Sequence, residues 1–250
     1  MDNKFNIAVL IDGDNAQPKL IQAIIEEVSK YGKATIRRIY GDWTTPQMNG
    51  WKEVINQYSF NPVQKFAYTS GKNSTDSSLI IDAMDILHSK NVEGFCIVSS
   101  DSDYTGLAKR IREDGVFVMG IGQKQTPVAF VQSCEIFTYT ENISAVITED
   151  EEDEPAKTAT AKARAKLKPK PAISTAIIDK AFDISINEDE EAYIATIGSN
   201  LRKIDPSFDP RAFGFKTLTQ LFDNLPKYEI LKNIVNGLNH PLVKKKSKKR

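Results

Sequence analysis

Six short runs rich in β-branched and aromatic residues alternate with stretches of helical apolar spacing: FNIAVLI (5 to 11), ATIRRIY (34 to 40), PVQKFAY (62 to 68), GFCIVSS (94 to 100), VFVMGIG (116 to 122) and EIFTYT (135 to 140). That alternation is the tightest constraint on the fold. Parallel strands buried on both faces read as near-continuous apolar runs, and joining them takes a crossover, most often a helix. The order therefore predicts βαβ units around a mostly parallel sheet with helices on both sides, an α/β domain of three layers. Pro18 opens the first crossover, and KLIQAIIEEVSKYG keeps an i, i+3, i+4 apolar pattern as far as Gly32. Further helices are predicted over 47–58, 76–89, 104–114 and 127–134.

The pattern stops near residue 147. TEDEEDEPAKTATAKARAKLKPKP (148 to 171) has no apolar period and reads as a disordered or partly helical linker. Apolar periodicity returns over 173–183, 189–204, 215–225 and 227–238, which predicts a short helical module, and the chain closes on KKKSKKR. The expected organisation is a first domain over 1–147, a charged flexible linker over 148–171, a second domain over 172–240 and a basic tail over 241–250. The net charge of zero conceals an asymmetry: basic against acidic residues number 14 to 17 over 1–148, none to six over 149–156, and 19 to ten over 157–250. A basic end suits a polyanionic partner through counterion release, with a solvated terminus or nuclear targeting as the other readings. Cys96 and Cys134 have neither metal-knuckle spacing nor further cysteines for a disulfide framework, so both are expected reduced. No apolar stretch is long enough for a signal core or a membrane span, which predicts a soluble cytoplasmic protein with no membrane partner. Oligomeric state is not legible.

Acids stand where strands end. IAVLIDGDN closes the first strand with Asp12, then Asp14 and Asn15, and CIVSSDSDY closes the fourth with Asp101 and Asp103. Ligands of open α/β sheets sit outside the carboxyl ends of strands where strand order reverses, so a 3-2-1-4-5 order would bring these loops to one crevice. GKNSTDSSLIIDAMD adds Asp76 at a helix start and Asp82 six residues on, on roughly the same side of that helix. Carboxylates gathered within several Å repel by roughly 3 kcal/mol per pair at an effective dielectric of 20, so such a cluster is expected to surround a cation. An all-oxygen donor set suits Mg²⁺ or Mn²⁺, and metal-assisted phosphodiester hydrolysis is the matching chemistry.

Each residue also has a plainer role. Asp76 or Asp103 could cap a helix, Asp14 a turn, and Asp82 could face solvent. Asp12 and Asp101 are harder to explain away, because each directly follows an apolar strand, where an unpaired acid is costly. Asn15 could bond its own backbone or orient a metal-bound water, and Ser99 and Ser100 could donate to the acids. Lys72 and Lys124 could steer a phosphate backbone. Tyr40, Trp43 and Tyr104 could stack on bases, although aromatic side chains at strand ends commonly cover core. His88 and His240 have no partner pattern.

The stretches VLIDGDNA (9 to 16), GKNSTDSSLIIDAMD (71 to 85) and IVSSDSDYTGLAKRIREDGVFVMGIG (97 to 122) resemble, in this order, the NYN domain family, relatives of PIN and FLAP-like nucleases; the likeness covers 5 to 143. The resemblance implies a PIN-like fold and a divalent-metal ribonuclease site, carried to Asp12, Asp76, Asp101 and Asp103, with Asn15 and Asp82 in support. IGSNLRKIDPSFDPRAFGFKTLTQLFDNLPKYEI (197 to 230) resembles the OST-HTH/LOTUS family, which implies a winged-helix-like module that binds RNA or recruits a protein. Within it Phe213, Phe215, Leu218 and Leu221 are expected core and Gly214 a tight turn, while Lys203, Arg211 and Lys216 could meet phosphates. The expected protein is thus a metal-dependent ribonuclease, probing single-stranded or structured RNA through its second module. A non-catalytic RNA-binding regulator using the same acidic site is the alternative. A phosphatase with Asp12 as nucleophile, suggested by the Asp-x-Asp of LIDGDN, fits the rest of the domain less well, and no glycine fingerprint for a dinucleotide follows the first strand.

Overall fold

A computed structural model describes residues 5–65, 74–144, 175–235 and 237–246, with the side chains of 74–76 and 235 left out. The linker expected over 148–171 and Lys72 lie outside the described residues. The chain divides into two compact units, Met1–Asp153 and Glu154–Arg250.

In the first unit β1 (Phe5–Asp12), β2 (Gly32–Gly41), β3 (Asn61–Gln64), β4 (Gly94–Val98), β5 (Phe117–Gly122) and β6 (Ile136–Tyr139) form one sheet of order β3-β2-β1-β4-β5-β6. Every pairing is parallel. The crossovers carry α1 (Ile21–Ser29), α2 (Trp51–Tyr58), α3 (Ser74–Ser89), α4 (Thr105–Glu113) and α5 (Val128–Ser133). Alternation along the strands divides the apolar side chains between two cores. Ile7, Val9, Ile11, Cys96 and Val98 pack with α1 and Trp51, while Ala8, Leu10, Phe95 and Ile97 pack with Leu79 and Ala83 of α3, Leu107 of α4 and Phe130 of α5. The result is the three-layer, PIN-like α/β arrangement, with the expected 3-2-1-4-5 order extended by β6. Ile7 through Ile11 have no exposed surface, and at about 1.5–3 kcal/mol per buried large apolar side chain this strand anchors both cores.

The second unit contains α6 (Thr175–Asp183), β7 (Glu191–Tyr193), α7 (Ile194–Ile204), a 3₁₀ turn (Pro210–Phe213), α8 (Leu218–Asp223), β8 (Tyr228–Leu231), β9 (Ile234–Val235), β10 (Leu238–Asn239) and β11 (Leu242–Lys245). β7, β11 and β8 form an antiparallel sheet with β11 in the middle, and β9 and β10 pair as a hairpin. Helices on a small sheet match the winged-helix-like expectation. Leu221 is fully buried with Ile178, Ile197, Leu201 and Phe222, and Phe213, Phe215 and Leu218 pack against them half-buried. Gly214 ends the 3₁₀ turn at φ +84°, a left-handed conformation suited to glycine.

Two expectations are corrected here. Within 227–238, read as helical, the described residues form β8, β9 and the start of β10: apolar residues in short strands mimic helical spacing, and Gly237 at φ +79° precedes β10. Residues 241–250, read as a tail, begin with β11, whose Val243 is fully buried. Among the described residues no helix is long and apolar enough to cross a membrane.

Candidate functional site

Strand order reverses between β1 and β4, and the side chains at this reversal are held by a short chain of hydrogen bonds. Ile11 registers with Val98 on one side and Asp12 with Tyr40 on the other. Asp12 is 3% exposed, whereas Asp14 and Asn15 just beyond it are exposed. The turn after β1 is pinned by Gly13 N donating to Tyr40 O (2.8 Å), by Trp51 Nε1 donating to Gly13 O (3.1 Å), and by the amides of Asn15 and Ala16 donating to Asp12 O (3.2 and 2.9 Å). Ser99 Oγ donates to Asp12 Oδ2 at 2.8 Å and accepts from Asp101 N at 3.1 Å. One buried hydroxyl therefore ties together the acid-bearing ends of β1 and β4. Asp101 in turn accepts from Asp103 N at 2.9 Å, capping the 3₁₀ turn Ser102–Tyr104 that leads into α4. Gly122 at the end of β5 leaves room for this: a Cβ there would lie 2.5 Å from Ser99 O.

The other expected site residues divide. Ser100 Oγ accepts from Gln123 N at 2.8 Å, joining β4 to β5 instead of touching an acid in that bond. Asp82 does not face solvent unpartnered; it binds the Arg38 guanidinium and the Tyr40 hydroxyl, both from β2. Burial, and then the hydrogen bond to the Asp82 carboxylate, push the Tyr40 phenol far above its ordinary range, and the same carboxylate keeps Arg38 charged. These two partners were missed from the sequence; a signal was present in Arg38 and Tyr40 standing at i and i+2, on one face of β2. Tyr104 is fully buried against Phe130, with ring centroids 6.3 Å apart, so the stacking role expected of it is corrected to a core role, and Tyr40 is fully buried too. Trp43 is half-buried at the rim. Lys124 is exposed, and its backbone amide meets the Glu141 carboxylate. In the second unit Lys203 and Lys216 are exposed. The Arg211 guanidinium is instead held by both carboxylate oxygens of Asp209, with Nε at 3.0 and 2.9 Å and Nη2 at 2.7 Å, so a phosphate would have to displace that pair.

Among the described residues no three His, Cys, Asp or Glu side chains form a ready-made metal cage, so the four-carboxylate cluster expected from the sequence is not what they show. The Asp76 side chain lies outside them. What is present still fits a magnesium-like ion. Asp12 and Asp101 each supply hard carboxylate oxygens from neighbouring strand ends, the Asp101 backbone being tied to Asp12 through Ser99, and Mg²⁺ is commonly held by one or two carboxylates, with waters and substrate phosphate oxygens completing its shell. The crevice beside Ser99, lined also by Asn15, Ala16, Gly122 and Gln123, has about 20 Å³ of room, enough for a water and too little for a base.

The profile of the NYN domain matches residues 6–141, more than half of the chain. The chain belongs to the NYN domain family. That match spans β1 through β6, so the acid-bearing strand ends are those of the NYN domain, and an OST-HTH/LOTUS domain profile matches 166–237 in the second unit. β11 lies beyond that second match yet completes its sheet. A crystal structure of a Vibrio parahaemolyticus protein of unknown function is similar over 56% of this chain and 94% of its own, at 18% identity and a TM-score of 0.47. A solution structure of an uncharacterized Nitrosomonas europaea protein is similar over 38% of this chain and 95% of its own, at 21% identity and a TM-score of 0.30. No curated protein matches the chain.

Proposed function

We propose that this chain is a divalent-metal-dependent ribonuclease whose NYN domain cuts the phosphodiester backbone, internally rather than from an end, while its LOTUS unit holds RNA. NYN domains are a PIN-like nuclease family and LOTUS domains are associated with RNA binding, which supports the pairing of the two. The observation that carries the reading is the Asp12 carboxylate, almost fully buried at the strand-order reversal and coupled through Ser99 to the amide of Asp101. A buried carboxylate at the end of an apolar strand costs stability, and function is the return on that cost.

Asp12 and Asp101 would hold the Mg²⁺ or Mn²⁺, with Asp76 as the third candidate ligand. Bound there, the ion would polarise a phosphate oxygen and lower the pKa of an attacking water. Ser99 keeps Asp12 in one orientation, and the pinned Gly13 turn keeps the strand end from shifting. Asp103, exposed one turn ahead of α4, is the candidate to take the proton of the attacking water at its carboxylate. Asn15, exposed three residues beyond Asp12, is the candidate to orient that water through its amide.

The test incubates the purified chain with labelled single-stranded and hairpin RNA in Mg²⁺, in Mn²⁺ and in chelator. Cleavage in metal alone, lost in Asp12→Asn and in Asp101→Asn with the fold intact, is the expected result. Comparable cleavage by the double variant overturns the assignment. The lack of a three-ligand cage among the described residues favours one second reading, an RNA-binding regulator; binding without turnover in either metal would establish it.

A further inference from the structure

A strand of RNA at this site needs somewhere to place its bases, and the residues around Asp12 offer little. Tyr40 and Tyr104 are buried, and the crevice beside Ser99 is water-sized. A second hollow opens at the same end of the sheet. It is a groove of about 470 Å³ lined by Trp43, Lys52, Ile55, Asn56, Pro62 and Gln64, within the size range of small-ligand sites. Trp43 follows β2 by two residues, and Gln64 ends β3. In a parallel sheet these ends share an edge with Asp12, and at about 4.8 Å per strand β2 is one strand and β3 two strands away from it.

The indole is fixed before any ligand arrives. Trp43 Nε1 donates to Val63 O at 3.0 Å, and its backbone amide donates to Gln64 Oε1 at 3.0 Å. Gln64 Nε2 in turn donates to Asp42 Oδ1 at 2.9 Å. With the ring N–H already bonded, the side chain has only its apolar surface to offer the groove. Lys52 and Asn56 stand one turn apart on α2, both exposed, so a cation and an amide line the same groove as the ring. A flat π surface beside a cation and a base-edge donor and acceptor is the combination that receives an unpaired nucleotide.

We infer that the Trp43 groove is a nucleotide subsite: one unstacked RNA base lies on the indole, Lys52 meets the adjoining phosphate and Asn56 the base edge, while the backbone continues across the strand ends to Asp12. This rests on the ribonuclease reading and names where its substrate is gripped. Single-stranded RNA enters the subsite; a duplex, whose bases stay stacked, does not.

The chain has two tryptophans, Trp43 and Trp51, both in the first unit, and Trp51 is 1% exposed. Indole fluorescence therefore reports on this groove and not on the LOTUS unit. The full chain, in chelator to prevent cutting, is titrated with single-stranded oligo(U) and oligo(A) 12-mers and with a blunt RNA duplex, while a 5′ fluorescein follows total binding. Saturable quenching by the single strands alone is expected, together with its loss in Trp43→Phe. Trp43→Leu, which keeps apolar volume without a π face, should weaken single-strand binding about ten-fold, the order expected for one lost base stack. Lys52→Gln, at an exposed position, should lower the slope of log affinity against log salt by about one. Binding by fluorescein without quenching, or Trp43→Leu binding like the parent chain, overturns the subsite while leaving the ribonuclease reading intact. Quenching by a proline-rich peptide and not by RNA would overturn it in favour of a protein ligand. A parent chain that neither binds nor cuts RNA removes the ribonuclease reading and this one with it.

Discussion

Replacing Ser99 by alanine removes one oxygen and, by the geometry of the site, two bonds. Its hydroxyl donates to the buried carboxylate of Asp12 and accepts from Asp101 N, and the Ser99 side is itself 2% exposed. A hydrogen bond to a charged group contributes about 1.5–3 kcal/mol, and an amide deprived of its acceptor adds up to about 1 more where water reaches it partly, as at Asp101. The expected loss is therefore about 2–4 kcal/mol, a large share of the roughly 5–15 kcal/mol that holds a domain together. Urea unfolding followed by tryptophan emission reads the first unit alone, because both tryptophans lie there. With a slope of about 2 kcal/mol per molar, the midpoint should fall by roughly 1–2 M. Asp12→Asn in the same background supplies the decisive control. If the bond is what is lost, the two substitutions couple by at least about 0.5 kcal/mol in a double-mutant cycle. Strict additivity, or a loss in Ser99→Ala below about 0.5 kcal/mol at unchanged slope, refutes the reasoning.

Tyr40→Phe leaves Asp82 with Arg38 as its partner from β2 and should cost about 1–2 kcal/mol in the same unfolding assay; an unchanged midpoint would remove the phenol from the α3 clamp. Cys134 is pushed up to about 12 by burial, and burial raises Cys96 further, so neither should react with a thiol reagent at pH 8 until urea unfolds the first unit. In the second unit burial raises the Asp179 carboxyl, but hydrogen bonds from Lys227 and Tyr228 outweigh it and leave the group below its usual 3.8. A carboxyl depressed in the folded state contributes stability in full above its unfolded value and loses it as pH falls through the folded one. Asp179→Asn should thus lower the melting of the second unit by about 1 kcal/mol at neutral pH, with the gap to the parent chain closing below pH 3.8; a gap that persists in acid would contradict this.

The sheet was legible because β1, β4 and β5 at its centre are near-continuous apolar runs, which constrains both their burial and the need for a crossover. The burial of Asp12 was legible for the same reason: an acid directly after such a run has to be accounted for. Asp82 was not, because helix spacing shows which side a residue takes but not that Arg38 and Tyr40, more than 40 residues earlier, meet it. Tyr104 was misplaced because an aromatic residue at a strand end reads alike whether it turns to solvent or to Phe130. The hairpin at 234–239 was missed because two-residue strands are too short to show a period. β11 was hidden by its own composition, since two lysines follow Leu242 and Val243 and one fully buried valine leaves no pattern to count.

That last strand lies between β7 and β8 and pairs with both. A cut anywhere within β11 would unzip two ladders at once and empty the space Val243 fills, and even the Lys246 amide is tied in, donating to Lys227 O at 2.9 Å. The lysines of β11 are thereby part of the folded LOTUS unit, so proteolysis within this one short strand would be disabling.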